Sequence, residues 1–304
     1  MITANTWLEL QKRYKLRVLV TGCDGQVGRS LVERMPANWE VVALNKRQLD
    51  ITDRNAVLKT LQDIKPKYVI NAAAYTLVDK AEDEPSKCFS INRDGARNLA
   101  LGSQKFNAVI LHISTDYVYS GRKNEPYIEF DTPEPLSVYG KSKLEGELAI
   151  AESHSKHIIV RTSWVFSEYG SNFVKTMLRL GSTHQELSIV DDQFGGPTYA
   201  GDLAGALLSI IDSLENGSLG YGLYHFTGTP AVTWRGFADT VFKQAIKNDI
   251  TGRIEIKGIA TSQYPTKAKR PSNSCLCCDK IYQTFSIKPS DWKSALNDIS
   301  KYME

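Results

Sequence analysis

No run of about 18 to 20 uninterrupted apolar residues occurs anywhere in this chain of 304 residues, so no membrane-spanning helix is expected. Charge of one sign is also missing. The 37 Lys and Arg against 34 Asp and Glu leave a net of +3, too balanced for the one-sided basic face of a nucleic-acid binder. Cysteine is scarce and odd in number, five in all, so at least one thiol has no partner within the chain. Cys23 and Cys88 stand alone, while Cys275, Cys277 and Cys278 form a CxCC cluster with no second ligand pair and no nearby His. No metal site is expected there. The opening segment, MITANTWLELQKRYK, lacks an apolar stretch and carries its basic residues last, the reverse of a signal peptide. Reduced thiols then fit a cytoplasmic protein. Apolar residues at 42% and charged residues at 23% are ordinary globular values, which argues against wholesale disorder.

What is present is an alternation. Apolar runs at 16–20, 40–44, 68–71, 108–113 and 157–161 alternate with helical patterns at 26–35, 53–64, 86–105 and 137–152. Thr52 is a plausible cap for the second helix, with Pro66 just beyond its end. Strands alternating with helices imply crossover units and a parallel sheet. The expected fold class is therefore α/β, a doubly wound parallel-sheet (Rossmann) domain over residues 16–165. Residues 166–304 read as a smaller mixed domain, mainly for substrate, with segments returning to the first. Further helices are expected at 172–180, 202–214, 234–247 and 291–303, with irregular stretches at 191–201 and 264–274. Residues 1–15 form an extension, and 1–14 read as either an amphipathic helix, with Trp7, Leu8 and Leu10 on one side, or a loose arm.

Directly after the first apolar run stands Gly22-Cys23-Asp24-Gly25-Gln26-Val27-Gly28, a GxxGxxG loop that opens into a helix. Gly22 permits the tight turn, Gly25 lets backbone N–H groups reach a pyrophosphate, and Gly28 lets helix and strand pack closely. A dinucleotide site follows from that placement. The end of the second run selects the cofactor. An acid there suits the ribose of NAD, but the chain reads Asn45-Lys46-Arg47, and either cation offers a partner for a 2′-phosphate. The plainer alternative is a solvated basic turn. NADP(H) is the preferred expectation and NAD(H) the second. Asp50, with Ile51 beside it, is placed for the adenine end, and Ala72-Ala73-Ala74 is small enough to let a cofactor cross the strand tips.

Tyr139 and Lys143 form Tyr-x-x-x-Lys, four residues that return to one helix face. A free phenol titrates near pH 10, and a nearby ammonium favours the phenolate, bringing the group toward working range. The strand-end hydroxyls of Ser114-Thr115-Asp116, upstream, offer a hold on a substrate carbonyl. Thr115 as a mere backbone partner is the competing structural reading. His112, between Leu111 and Ile113, reads as a satisfied sheet histidine rather than a proton donor, and Tyr117 and Tyr119 read as packing.

The glycine loop, Asn71–Ala74, Ser114–Tyr119 and Tyr139-x-x-x-Lys143 together resemble the extended short-chain dehydrogenase/reductases. The segments 71–75, 78–82, 135–143, 161–165, 172–177 and 192–198 narrow the resemblance to the dTDP-4-dehydrorhamnose reductases, over about residues 16–299. The resemblance implies reduction of the C4 ketone of a dTDP-4-dehydro-sugar by a nicotinamide hydride. It implies Tyr139 as general acid, Lys143 on the nicotinamide ribose, and Thr115 and Asp116 on the sugar. It further implies Trp164 against the substrate, Arg270 with Pro271 and Asn273 at the nucleotide end, Ala73, Ala74, Tyr75 and Ile113 along the cofactor, and a possible homodimer. Two departures stand out. Asn45 replaces the acid some members carry, and Ser30 replaces a magnesium-ligating carboxylate, so no Mg²⁺ requirement is expected. A 4,6-dehydratase is disfavoured because Tyr117 follows Asp116 where an acidic pair is usual. A sugar-nucleotide epimerase and a non-catalytic regulatory subunit of the same fold are the remaining alternatives.

Overall fold

The computed structural model describes residues 15–303; the expectation for residues 1–14 lies outside them. In chain order the strands are β1 (Leu16–Thr21), β2 (Trp39–Leu44), β3 (Tyr68–Asn71), β4 (Val109–Thr115), β5 (His157–Thr162), β6 (Val165–Phe166), β7 (Glu186–Val190), β8 (Phe194–Gly195), β9 (Thr198–Tyr199), β10 (Gly222–His225), β11 (Val232–Thr233) and β12 (Glu255–Ile259). Six of them form one sheet in the order β10-β5-β4-β3-β1-β2, and every neighbouring pair is parallel. The α/β expectation is met.

The sheet is apolar on both sides because both sides are covered. Successive side chains of a strand point to opposite faces. Val18 and Val20 of β1 therefore join one core with Leu31, Leu203, Leu207 and Ile211, while Leu19 joins the other with Val57, Leu61, Leu99 and Ile150. The same division splits Val109 and Leu111 from Ile110, and Ile158 and Val160 from Ile159. Helices Gln26–Arg34 and Ala200–Glu215 cover the first face, and helices Arg54–Ile64, Ala96–Lys105 and Val138–Ser153 the second. A third core gathers Phe166, Val174, Met177, Leu187, Phe237, Phe242 and Trp292 around helices Phe173–Gly181 and Trp234–Lys247.

Several boundaries depart from expectation for identifiable reasons. Asp53, not Thr52, caps Arg54–Ile64, accepting from the amides of Asn55 and Ala56, while the Thr52 hydroxyl donates to Asp50 at 2.7 Å. The stretch expected as one helix over 86–105 contains a π segment, Ser90–Gly95, between Pro85–Phe89 and Ala96–Lys105. The expected helix at 291–303 is instead a short helix, Trp292–Ala295, and a 3-10 turn, Ile299–Tyr302. Its apolar spacing is real, since Trp292, Leu296, Ile299 and Tyr302 are all buried. Amide bonds from Leu296 to Lys293 and from Asn297 to Ser294, however, tighten the turn to the 3-10 pattern. Helix Asp279–Phe285 and strands β7, β10 and β12 have no counterpart in the sequence reading. Their apolar signals are short and lack a repeated period.

Candidate active site

At the carboxyl ends of β1, β3, β4 and β5 lies a cavity of about 720 Å³. In an open parallel sheet this is where ligands collect. One end is made of backbone. Gly22, Gly25, Gln26 and Val27 line it, and helix Gln26–Arg34 begins there with no side-chain cap and no acidic residue in its first turn. Its leading amides and the positive end of its dipole are therefore left for an anion. Gly28 is not on the lining; it does what the turn needs behind it. A Cβ there would stand 2.2 Å from the Gly22 oxygen and 2.7 Å from the Cys23 Cα. Gly22 sits at φ +72, against the Ala73 backbone.

Beside this end, Asn45, Lys46, Leu49, Asp50 and Ile51 close the wall. The Asn45 carboxamide accepts from the amides of Arg47 and Gln48 at 3.0 and 3.2 Å, folding the end of β2 into a turn. That turn places Lys46 on the cavity and leaves Arg47 off its lining. Asp50 accepts from the amide and hydroxyl of Thr52, which hold its carboxyl below the usual range. Ala72, Ala73, Ala74 and Ile113 form the floor. Tyr75 is absent from it: the ring is buried and its hydroxyl donates to Glu84 at 3.0 Å.

The other end is made of side chains. Thr115, Asp116, Tyr117, Tyr139, Lys143 and Trp164 line it. Tyr139 reaches Thr115 because helix Val138–Ser153 starts at the Ser137 cap, whose oxygen accepts from Gly140 N. Gly140 then lets the helix press on the preceding turn, since a Cβ there would lie 2.2 Å from the Tyr117 oxygen. The Thr115 hydroxyl donates to Asp116 at 3.0 Å and accepts from Tyr117 N at 3.2 Å. It also bonds the phenol of Tyr139, an effect that only partly offsets burial, which pushes that phenol well above its ordinary pKa. Burial likewise raises the Asp116 carboxyl to about 6 and lowers the Lys143 amine to about 8.

The expected lowering of Tyr139 by Lys143 is not the arrangement found. The Lys143 amine donates to Ile113 O at 2.6 Å and meets His112 Nε2 at 3.2 Å, and desolvation dominates the phenol. Trp164 adopts φ +47, unusual for a bulky residue, and its ring stacks on Trp234 at 3.5 Å between centroids. Arg270 is not itself on the lining but stands against it, paired with Asp79 at 2.9 Å and hydrogen-bonded to the side chain of Tyr117, which is on it. Sequence reasoning passed over Thr76, Val78, Ile91, Thr162, Gly170 and Ser171 as lining residues. Val78 and Thr162 lie in segments that carry the family resemblance but were given no role, and no motif marks the others, which reach the cavity only through the fold. Among the described residues, no group of three or more His, Cys, Asp or Glu side chains is arranged to hold a metal ion.

The geometry agrees with kinship. Residues 16–304 match the family model described as RmlD substrate binding domain. A dTDP-4-dehydrorhamnose reductase from Aggregatibacter actinomycetemcomitans is 48% identical over 292 residues, 95% of this chain and 99% of that protein. One from Sinorhizobium fredii is 42% identical, over 92% and 95% of the two chains. The crystal structure of the dTDP-4-dehydrorhamnose reductase of Bacillus anthracis, in complex with NADP, is similar at TM-score 0.86 and 39% identity, over 93% of this chain and 98% of that one. This chain belongs to the dTDP-4-dehydrorhamnose reductase family.

Proposed function

We propose that the protein reduces the C4 ketone of dTDP-4-dehydro-β-L-rhamnose to the alcohol with NADPH, NADH serving less well. The observation that carries this reading is the cavity itself. An uncapped helix N-terminus stands at one end, and two hydroxyls, on Thr115 and Tyr139, converge at the other. The first end suits a dinucleotide pyrophosphate, held by the amides of Gly22, Gly25, Gln26 and Val27, with Ala73, Ala74 and Ile113 beneath it and Lys143 further along. Lys46 supports the choice of NADPH, as does the NADP bound by the Bacillus anthracis relative. When bound, the nicotinamide supplies the hydride.

The chain's own part is to handle the charge. Negative charge develops on the ketone oxygen, and donors aimed there stabilise it most where water is excluded. Tyr139 is such a donor, and Thr115 becomes a second when its hydroxyl turns from Asp116 to the substrate. A phenol pushed up by burial is neutral at physiological pH, the form that a general acid must have to give a proton to the alkoxide. Asp116, raised toward neutrality, sits where it meets sugar hydroxyls, and Trp164 offers a flat apolar wall. Arg270 and Tyr75 take supporting places, the first holding the 264–274 stretch to Asp79 and the second fixing Glu84. Five free thiols and the lack of any described helix long and apolar enough to cross a membrane support a cytoplasmic location. A homodimer, as the family resemblance implies, is tested by the mass of the protein in solution.

The test is loss of NADPH absorbance, then of NADH, with enzymatically made dTDP-4-dehydro-β-L-rhamnose. Rapid oxidation with NADPH favoured is the expected result. Cofactor binding without turnover would sink the reading.

A further inference from the structure

Lys143 has a neighbour that the reaction as described does not use. His112 lies fully buried on β4, its Nδ1 2.9 Å from Asn71 Nδ2 and its Nε2 3.2 Å from Lys143 Nζ. The orientation of Asn71 is not free. Its Oδ1 accepts from the Ala73 amide at 3.1 Å and from the Thr21 hydroxyl at 2.8 Å. Turning the carboxamide over would set an NH₂ against the Ala73 N–H, donor against donor. The Asn71 NH₂ therefore donates to His112 Nδ1. A neutral imidazole carries one proton, and with Nδ1 accepting, that proton is on Nε2, facing the lysine. Burial holds His112 well below its ordinary pKa, hence neutral.

An Nε2–H pointing at nitrogen needs a lone pair. An ammonium has none, whereas an uncharged amine accepts one bond and still donates to Ile113 O. We infer that Asn71 locks His112 in the Nε2–H tautomer, and that His112 thereby favours the uncharged form of Lys143 until cofactor binding charges it. His112 is thus a positioning residue for Lys143. The other groups facing the amine do not undo this. From its own helix come Tyr139, a neutral phenol, and Glu147, whose carboxylate raises the amine's pKa but by less than burial lowers it, being paired with Arg161 at 2.6 Å. From helix Pro85–Phe89 comes the Cys88 thiol, raised by burial and so protonated.

The inference rests on the cofactor site proposed above, and two measurements separate its failure from that of the site. Long-range ¹H–¹⁵N correlation on the whole protein reads the tautomer directly, with His112 assigned by replacing His154, His157, His184 and His225 one at a time. A proton on Nε2 alone is expected; a proton on Nδ1, or an imidazolium, overturns the inference. Calorimetric titration with NADPH at about pH 9, in buffers of different ionisation enthalpy, reads proton uptake. An amine with a pKa of about 8 is roughly 90% uncharged there, so binding takes up close to one proton per site. His112→Gln, whose carbonyl can turn to accept from an ammonium, is expected to lower that uptake about threefold or more. Binding with no uptake by the unaltered protein overturns the inference and leaves the cofactor site standing. Absence of NADPH binding overturns both. If the variant does not fold, the two measurements on the unaltered protein still decide.

Discussion

At the Gly22–Gly28 end of the cavity the contact surface is peptide backbone, whereas at the Thr115–Tyr139 end it is side chains whose chemistry depends on burial. The first end works through what is missing: no Cβ, no cap, no carboxylate in the first helical turn. The second works through what is enclosed. Its phenol, carboxyl and amine are all pushed toward their neutral forms by loss of water. The difference teaches that a phosphate loop is specified by local sequence, while a proton-transfer site is specified by what the fold packs around it.

The largest effect expected is at the side-chain end. Tyr139→Phe removes the proton donor and leaves the ring, so kcat is expected to fall by about 10²- to 10⁴-fold while NADPH still binds. Steady-state rates beside a binding titration check this, and equal loss of both would place Tyr139 at the wrong end of the cavity. Next comes the backbone end. Gly28→Val drives a side chain into the Gly22 carbonyl and the Cys23 backbone, contacts that cannot yield cheaply. A loss of about 1–3 kcal/mol in stability is expected, with NADPH affinity weakened more than substrate affinity.

The third prediction concerns pH. The folded pKa of Asp116, about 6, lies above the ordinary carboxyl value near 3.9, so the folded protein keeps a proton that the unfolded chain releases. Through this group stability rises as pH falls from about 6 toward about 4, by on the order of 2 kcal/mol. Asp116→Asn removes that component. Melting curves of the two proteins are expected to converge at the acid side of the window, with the variant relatively more stable above it; parallel curves would show an ordinarily ionised carboxyl. The smallest effect is at the rim. Lys46→Ala is expected to reduce the preference for NADPH over NADH about two- to fivefold, the size of an exposed ion pair, and more at low salt than at high.

Legibility followed the same division. The parallel sheet was readable because β1, β3, β4 and β5 are apolar on both faces and their helices are stopped by Pro36 and Pro66 or started by Ser137. Gly22, Gly25, Tyr139, Lys143 and Thr115 were readable from spacing. What escaped was whatever required two distant segments to meet. The Trp234 platform under Trp164 is 70 positions away in the chain. Lys46 and Arg47 looked equivalent until the Asn45 turn sent only one of them to the cavity. Arg270 was readable as a cation, but its partners Asp79 and Tyr117, about 190 and 150 positions away, were not.

By itself, then, the sequence determined the alternation of strands and helices over residues 16–162, the turn that receives a pyrophosphate, and which residues carry the phenol and the amine. Those follow from periodicity, from glycine's missing Cβ and from four-residue helical spacing, all of them local. Only the tertiary structure decided the charge states. The phenol is neutral, the carboxyl is drawn up toward neutrality, and the amine is turned toward His112 rather than Tyr139, because desolvation and long-range partners set protonation, and neither exists until the chain has closed around them.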